Sequence, residues 1–333
     1  MNQVEPNPFL DHLGIKVPAI CGPMYPCSNP ELVAAVSKAG GIGIVQPISL
    51  TYVHGYDFRQ GLRHIRSLTD KPIGMNALIE KSSRRYHQRM QQWIEIALEE
   101  GVRFFITSLG NPRWVVEQVH QAGGLVYHDA TERKWAIKGV EAGVDGLIAV
   151  NNRAGGHAGG LTPHGLYDAL SDLGLPLICA GGVGGGEGFK QMMDIGYNGV
   201  QMGTAFIATQ ECQVSEDYKQ AIIQATEADI VLTERLTGVP VSVIRNSHVD
   251  DVGLKNNALS RWLLGHAKTK GVMRMLLALC SFRQLKKDMA LTEGKETYWQ
   301  AGKSVGAVKR IRSAAEIIAE LEASVNDSVR CQR

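Results

Sequence analysis

The chain of 333 residues is 44% hydrophobic, and its 35 Lys and Arg nearly balance 33 Asp and Glu, for a net charge of +2. That apolar content is ample for the core of one large α/β domain or two smaller ones. The charge balance excludes the basic footprint of a nucleic-acid or anionic-membrane binder, so small molecules are the expected partners.

The N-terminal "MNQVEPNPFLDHLG" has no apolar stretch flanked by positive charge and reads as no export signal. The first predicted strand is "AICGP" (19–23), and "NPELVAAVSKAG" (29–40) follows as a helix opening on Asn-Pro and closing on Gly. "GIGIVQ" (41–46) is the second strand, and the segment after it (52–70) is the weakest helix of the series. Strand "PIGMNAL" (72–78) leads to helix "RRYHQRMQQWIEIALEEG" (84–101), whose basic residues read as a solvated face. "RFFITS" (103–108) precedes "PRWVVEQVHQAG" (112–123), and "LVYHD" (125–129) precedes "TERKWAIKGVEAG" (131–143). "VDGLIAV" (144–150), "PLICAGG" (176–182) and "GVQMG" (199–203) complete the strands, with helices over 164–174 and 187–196 between them. Short apolar runs alternating with stretches of helical period predict a (β/α)₈ TIM barrel, with a doubly wound open sheet as the alternative.

After the eighth strand the pattern changes. Residues 213–297 read as helices without strands, a mainly helical insertion covering the barrel mouth, so that 1–212 and 298–333 form the barrel. Trp262, Met273, Met275 and Leu276 of that insertion are candidates to line a substrate cavity. "SAAEIIAELEASV" (313–325) is the last predicted helix. The six cysteines are scattered without paired spacing, which suggests no disulfide framework and no metal site. A reducing cytoplasm is the expected setting. No apolar run reaches the ~18 residues of a membrane span.

Chemistry in such a barrel lies at the C-terminal strand ends. Those ends carry Pro23 and Met24, Gln46, Asn76, Ser108, His128 with Asp129, and then Asn151 and Asn152 opening the loop "RAGGHAGG" (153–160). Glycine pairs around His157 let the backbone approach a ligand closely, which marks Gly155, Gly156 and His157 as a site. Gly181 and Gly182 after strand seven, with Gly203 and Thr204 after strand eight, can offer amides and a hydroxyl to an anion, implying a phosphorylated cofactor. No strict G-x-G-x-x-G follows the first strand, and "GKS" (302–304) has Thr297 where a P-loop needs glycine. Of ten histidines, His157 is the candidate for catalysis, and His128 is a second candidate contact against the alternative of a satisfied core group.

Taken together, "AGGHAGG", "ICAGGV", "GVQMGTAF", "GIKVPAICGPM" and "YWQAGKSVG" resemble the nitronate monooxygenase family, once called 2-nitropropane dioxygenases. The resemblance implies FMN at the barrel mouth, its ring against the backbone at Pro23 and Met24 and near Asn76, with its phosphate on Gly181, Gly182, Gly203 and Thr204. It implies His157 as the active-site histidine and brings Lys303, in the returning C-terminal segment, close to flavin or substrate. The implied reaction oxidises an alkyl nitronate with dioxygen to a carbonyl compound and nitrite. A flavin-dependent NAD(P)H reductase of a quinone or enoyl thioester, and a flavin-binding protein with little turnover, are the alternatives. Two departures stand out: "NNR" (151–153) replaces the family's Gln-Gly-x-Glu, and Ala205 stands where an Arg is common.

Overall fold

The computed structural model describes residues 7–80, 84–236, 238–255 and 297–331, of which 325–331 as helix backbone. Eight parallel strands close into a barrel: β1 (Ala19–Cys21), β2 (Ile42–Val45), β3 (Ile73–Ile79), β4 (Phe104–Leu109), β5 (Leu125–Ala130), β6 (Gly146–Val150), β7 (Leu177–Ala180) and β8 (Gly199–Met202). Closure is made by β1, which pairs with β2 at Ile20↔Ile42 and with β8 at Ala19↔Val200. The predicted TIM barrel and each of its eight strands are present.

Around the strands run α2 (Pro30–Ala39), α3 (Phe58–Leu68), α4 (Arg84–Glu99), α5 (Arg113–Gln121), α6 (Arg133–Glu141), α7 (Pro163–Leu170) and α8 (Gly186–Ile195). Their ends follow the punctuation in the chain. The Thr162 hydroxyl accepts the Gly165 N–H at the start of α7, and α2 and α8 stop on Gly40 and Gly196 in the left-handed conformation. Segment 52–70, the weakest on sequence, carries a regular α3 capped by Asp57. The eighth helix arrives only at the end of the chain, where α12 (Ala314–Cys331) packs against both α2 and α8 and closes the ring.

Two apolar layers hold this together. Ile20, Ile42, Ile44, Phe104, Ile106, Tyr127, Ile148 and Ile178 fill the lumen, and a larger set lies between strands and helices. The barrel is thus a packed core and not a pore. A short N-terminal helix, α1 (Pro8–Leu13), closes the bottom by setting the fully buried Phe9 against Phe104 and Tyr127. Burying that ring contributes about 2 kcal/mol.

Beyond β8 come α9 (Thr204–Ile207), α10 (Glu216–Gln224) and an antiparallel ribbon of β9 (Ile230–Thr233) and β10 (Val241–Ile244), then α11 (Ser247–Val252). The ribbon corrects the reading of 213–297 as free of strands. It sits at the mouth, since Ser242 pairs with Gly156 of the β6–α7 loop. Trp262, Met273, Met275 and Leu276 lie outside the described residues. Among the described residues no helix is long and apolar enough to cross a membrane.

Candidate active site

Side chains alternate along each strand between the lumen and the helices, so the lumen residues fix which groups reach the mouth. Tyr127 fills the lumen, where a Cβ added at Gly146 would lie 2.3 Å from its ring. Two residues further on, Asp129 faces the same way. By the same alternation Gln46, Asn76, Ser108 and Gln201 follow lumen residues on β2, β3, β4 and β8. A polar ring therefore caps the apolar plug. Two of its oxygens, Asp129 Oδ1 and Gln201 Oε1, are inaccessible to solvent and have no hydrogen-bond partner among the described residues. Buried acceptors left in this state mark a place where a ligand's donors belong.

His128 points the other way. Its ring is 2% exposed, lies 3.1 Å from where a Cβ on Gly139 of α6 would be, and shares a 2.9 Å hydrogen bond with the Thr107 hydroxyl. The structure thus places this sequence candidate between sheet and helix, away from the lumen, with its ring held by Thr107. Burial lowers the His128 pKa to about 4. The fold holds the neutral imidazole, while the unfolded chain takes up a proton near its ordinary 6.5. Stability from this site is therefore full above pH 6.5 and falls as pH drops from 6.5 toward 4, by about 3 kcal/mol in all. Urea titrations should show that loss in the wild type and a smaller loss over the same window in His128→Gln.

The loops after β6, β7 and β8 form one stitched surface. Asn151, fully buried, donates from Nδ2 to the Gly181 carbonyl at 3.0 Å and to Cys179 Sγ at 3.3 Å, and accepts the Arg153 N–H at 2.8 Å. The departure at 151–153 thus ties the β6 loop to β7. Gly181 and Gly182 have φ of 113° and 88°, and a Cβ on Gly181 would come within 2.5 Å of Ala154 N. Only glycine gives that close turn cheaply. The Arg153 side chain lies over Gly182 and pairs with Glu227.

Into this surface the C-terminal segment threads residues 302–304. Gly302 N–H donates to Thr204 Oγ1 at 3.0 Å, and Lys303 N–H donates to the Arg153 carbonyl at 2.9 Å. Lys303 therefore reaches the site through its backbone, with a half-buried side chain. The Thr204 hydroxyl accepts one hydrogen bond and keeps its own proton to donate.

Of the remaining candidates, Asn76 is buried and its amide donates to the Ile106 carbonyl at 3.2 Å, which fixes its orientation in the ring. Pro23 and Met24 are half-buried at the end of β1. The Met24 N–H is taken by Ser28 Oγ at 2.9 Å, so that amide is not offered to a ligand, and the Met24 thioether lies against Gly203. His157 and Gly155 are exposed at the rim, and the Gly156 carbonyl accepts from Ser242 of β10. Cys21, Cys27, Cys179 and Cys212 are buried free thiols; burial pushes Cys179 up to about 12, which suits a core residue and not a nucleophile.

Sequence and structural comparisons bear on this geometry. A family model described as nitronate monooxygenase matches residues 7–324. A probable nitronate monooxygenase from Staphylococcus saprophyticus is 31% identical over 279 residues, 71% of this chain and 78% of that protein. A (3aS,4S,5R,7aS)-5-hydroxy-7a-methyl-1-oxo-octahydro-1H-indene-4-carboxyl-CoA dehydrogenase from Mycobacterium tuberculosis is 26% identical over 297 residues, 88% of this chain and 81% of that one. FabK from Thermotoga maritima superposes with a TM-score of 0.78 at 27% identity, covering 98% of both chains. The nitroalkane oxidase of Streptomyces ansochromogenes, at 22% identity and a TM-score of 0.76 over 97% of this chain and 99% of that one, shares the fold.

Proposed function

Because the chain belongs to the nitronate monooxygenase family, we propose that this flavin oxidoreductase uses FMN to oxidise alkyl nitronates with dioxygen, giving a carbonyl compound and nitrite. The observation that carries the reading is the stitched glycine cradle of the β6, β7 and β8 loops. It includes the His157 loop, and β5 and β8 of the same barrel carry two buried oxygens that have no hydrogen-bond partner among the described residues. Bound FMN would supply the electron acceptor that no side chain here provides.

Gly181, Gly182, Gly203 and Thr204 would hold its phosphate. The first amide of α8, Gly186 N–H, is taken by the Glu320 carboxylate at 2.6 Å, so the phosphate would rest on the amides of the glycine turns and on Thr204, which has a proton to give. Asn76, Gln201, Pro23 and the Met24 side chain would border the ring, and Gly155 and Gly156 leave room for it under His157. His157 would donate a hydrogen bond to the nitronate oxygen, or take the α-proton of the neutral nitroalkane that gives the nitronate, since imidazole serves in either role. The expected preparation is yellow and releases FMN, not FAD, on denaturation. Liquid chromatography of the released flavin checks this, and a colourless protein that takes up no added FMN would sink it.

A second reading, an NAD(P)H-dependent reductase of an enoyl thioester, is favoured by the likeness at 26% identity to a carboxyl-CoA dehydrogenase over 88% of this chain. Anaerobic stopped-flow reduction separates the two. Ethylnitronate should bleach the bound flavin at 450 nm faster than NADH does, by about tenfold or more on nitronate chemistry. The reverse order would overturn the nitronate reading.

A further inference from the structure

We propose that Asp129 is a neutral hydrogen-bond donor to the substrate, a carboxylic acid kept protonated in the barrel mouth so that it can bind a nitronate oxygen. The placement comes from the strand itself. Asp129 follows Tyr127 on the lumen face of β5 and pairs in register with Ile148, so its carboxyl sits directly above the apolar plug. Its Oδ1 is sealed from solvent and meets no donor among the described residues.

The neighbours explain why the acid stays neutral. In register on β4 and β6, Ser108 and Ile148 carry no ionisable group, and below lies the Tyr127 ring. On its own strand, His128 faces α6. The charged groups at the rim are His157, Lys303 and Arg153, and Arg153 is already paired with Glu227. Among the described residues no cation compensates the carboxylate, and burial pushes the Asp129 pKa up to about 7. An ionised carboxylate here would repel an anionic substrate, whereas the protonated form offers it a donor.

Position also divides the labour. Phosphate anchorage on β7 and β8 would fix one side of the mouth, and β5 lies two strands from β7 and three from β8, outside that pair. On the reading of the mouth as a flavin and nitronate site, that leaves Asp129 on the half open to substrate. It was passed over in the sequence because "LVYHD" drew attention to its histidine.

The test is flavin absorbance and anaerobic ethylnitronate binding in the FMN-loaded protein between pH 5.5 and 9, for wild type, Asp129→Asn and Asp129→Ala. Without substrate, the wild-type flavin spectrum should shift with a midpoint near pH 7 as the acid ionises, and both variants should lack the shift. The wild-type apparent Kd for ethylnitronate should be flat below pH 6.5 and weaken by about tenfold per unit above 7. Asp129→Asn, which keeps a neutral donor, should hold the low-pH affinity throughout, and Asp129→Ala should bind about tenfold more weakly at all pH values. A merely structural Asp129 would leave the pH step in place in the folded variants, and that result overturns the proposal. A spectral step that vanishes in both variants while ethylnitronate reduces none of the three proteins supports Asp129 as the titrating group of the mouth. That outcome overturns the nitronate substrate instead.

Discussion

Gly203→Asp is expected to weaken FMN binding by at least ~10²-fold while leaving the barrel folded, with a melting temperature within a few degrees of wild type. Gly203 is the position for this test because its backbone tolerates a side chain. Its φ is −121°, and a Cβ there would meet only the flexible Met24 thioether, at 3.3 Å. A carboxylate about 4 Å from a phosphate costs about 4 kcal/mol per unit charge at an effective dielectric near 20, which alone exceeds the expected loss. The added atoms also crowd the Thr204 amide and hydroxyl. Gly182→Asp should lose flavin as well, but φ there is 88° and the new Cβ would lie 2.8 Å from Arg153 Nε, so local strain adds to the charge effect. Gly203→Ser separates charge from bulk and should retain most of the affinity. Flavin fluorescence quenching on reconstitution reads the Kd, and circular dichroism melting reads the fold. Unchanged affinity in Gly203→Asp would put the phosphate elsewhere in the mouth.

The strands were legible because each is a short apolar run ended by glycine or a polar residue, and the helices because Pro, Asn and Gly stand at their ends. Which face of a strand looks into the lumen was not legible. In a parallel barrel both faces are buried, one by the plug and one by the helices, so an apolar strand carries no alternation to set its phase. That is why the sequence set His128 and Asp129 together at one strand end while the structure turns them to opposite faces. Only the Gly146 contact with Tyr127 and the Gly139 contact with His128 decide the phase, and both are tertiary. The β9–β10 ribbon did leave a signal, two β-branched runs flanking Gly238 and Pro240, which the helical segments on either side obscured. Asn151 left none: its role depends on the Gly181 carbonyl, 30 residues away. The glycine cradle was readable because its glycines mark backbone that must turn tightly, a property local to the chain.

His157→Asn should retain FMN yet slow anaerobic reduction by nitroethane by about 10²–10⁴-fold if an α-proton transfer is lost, and slow reduction by ethylnitronate, already deprotonated, by less if only a hydrogen bond is. The structure makes this substitution a clean one. The backbone around His157 is pinned on both sides, by Ser242 N–H donating to the Gly156 carbonyl at 2.8 Å and by Gly159 N–H donating to the Asn151 carbonyl at 3.1 Å. Ala158 packs against the lumen cluster. Main-chain bonds therefore fix the loop on either side of the imidazole. Asparagine keeps a donor of similar reach but cannot relay a proton at neutral pH, so the size of the defect tells the two roles apart. If His157 only shaped the loop, the variant would lose flavin or stability, and whatever holoenzyme remained would be reduced normally. Stopped-flow traces at 450 nm on matched flavin-loaded samples read the rate directly. Reduction by both substrates at the wild-type rate would remove His157 from the reaction.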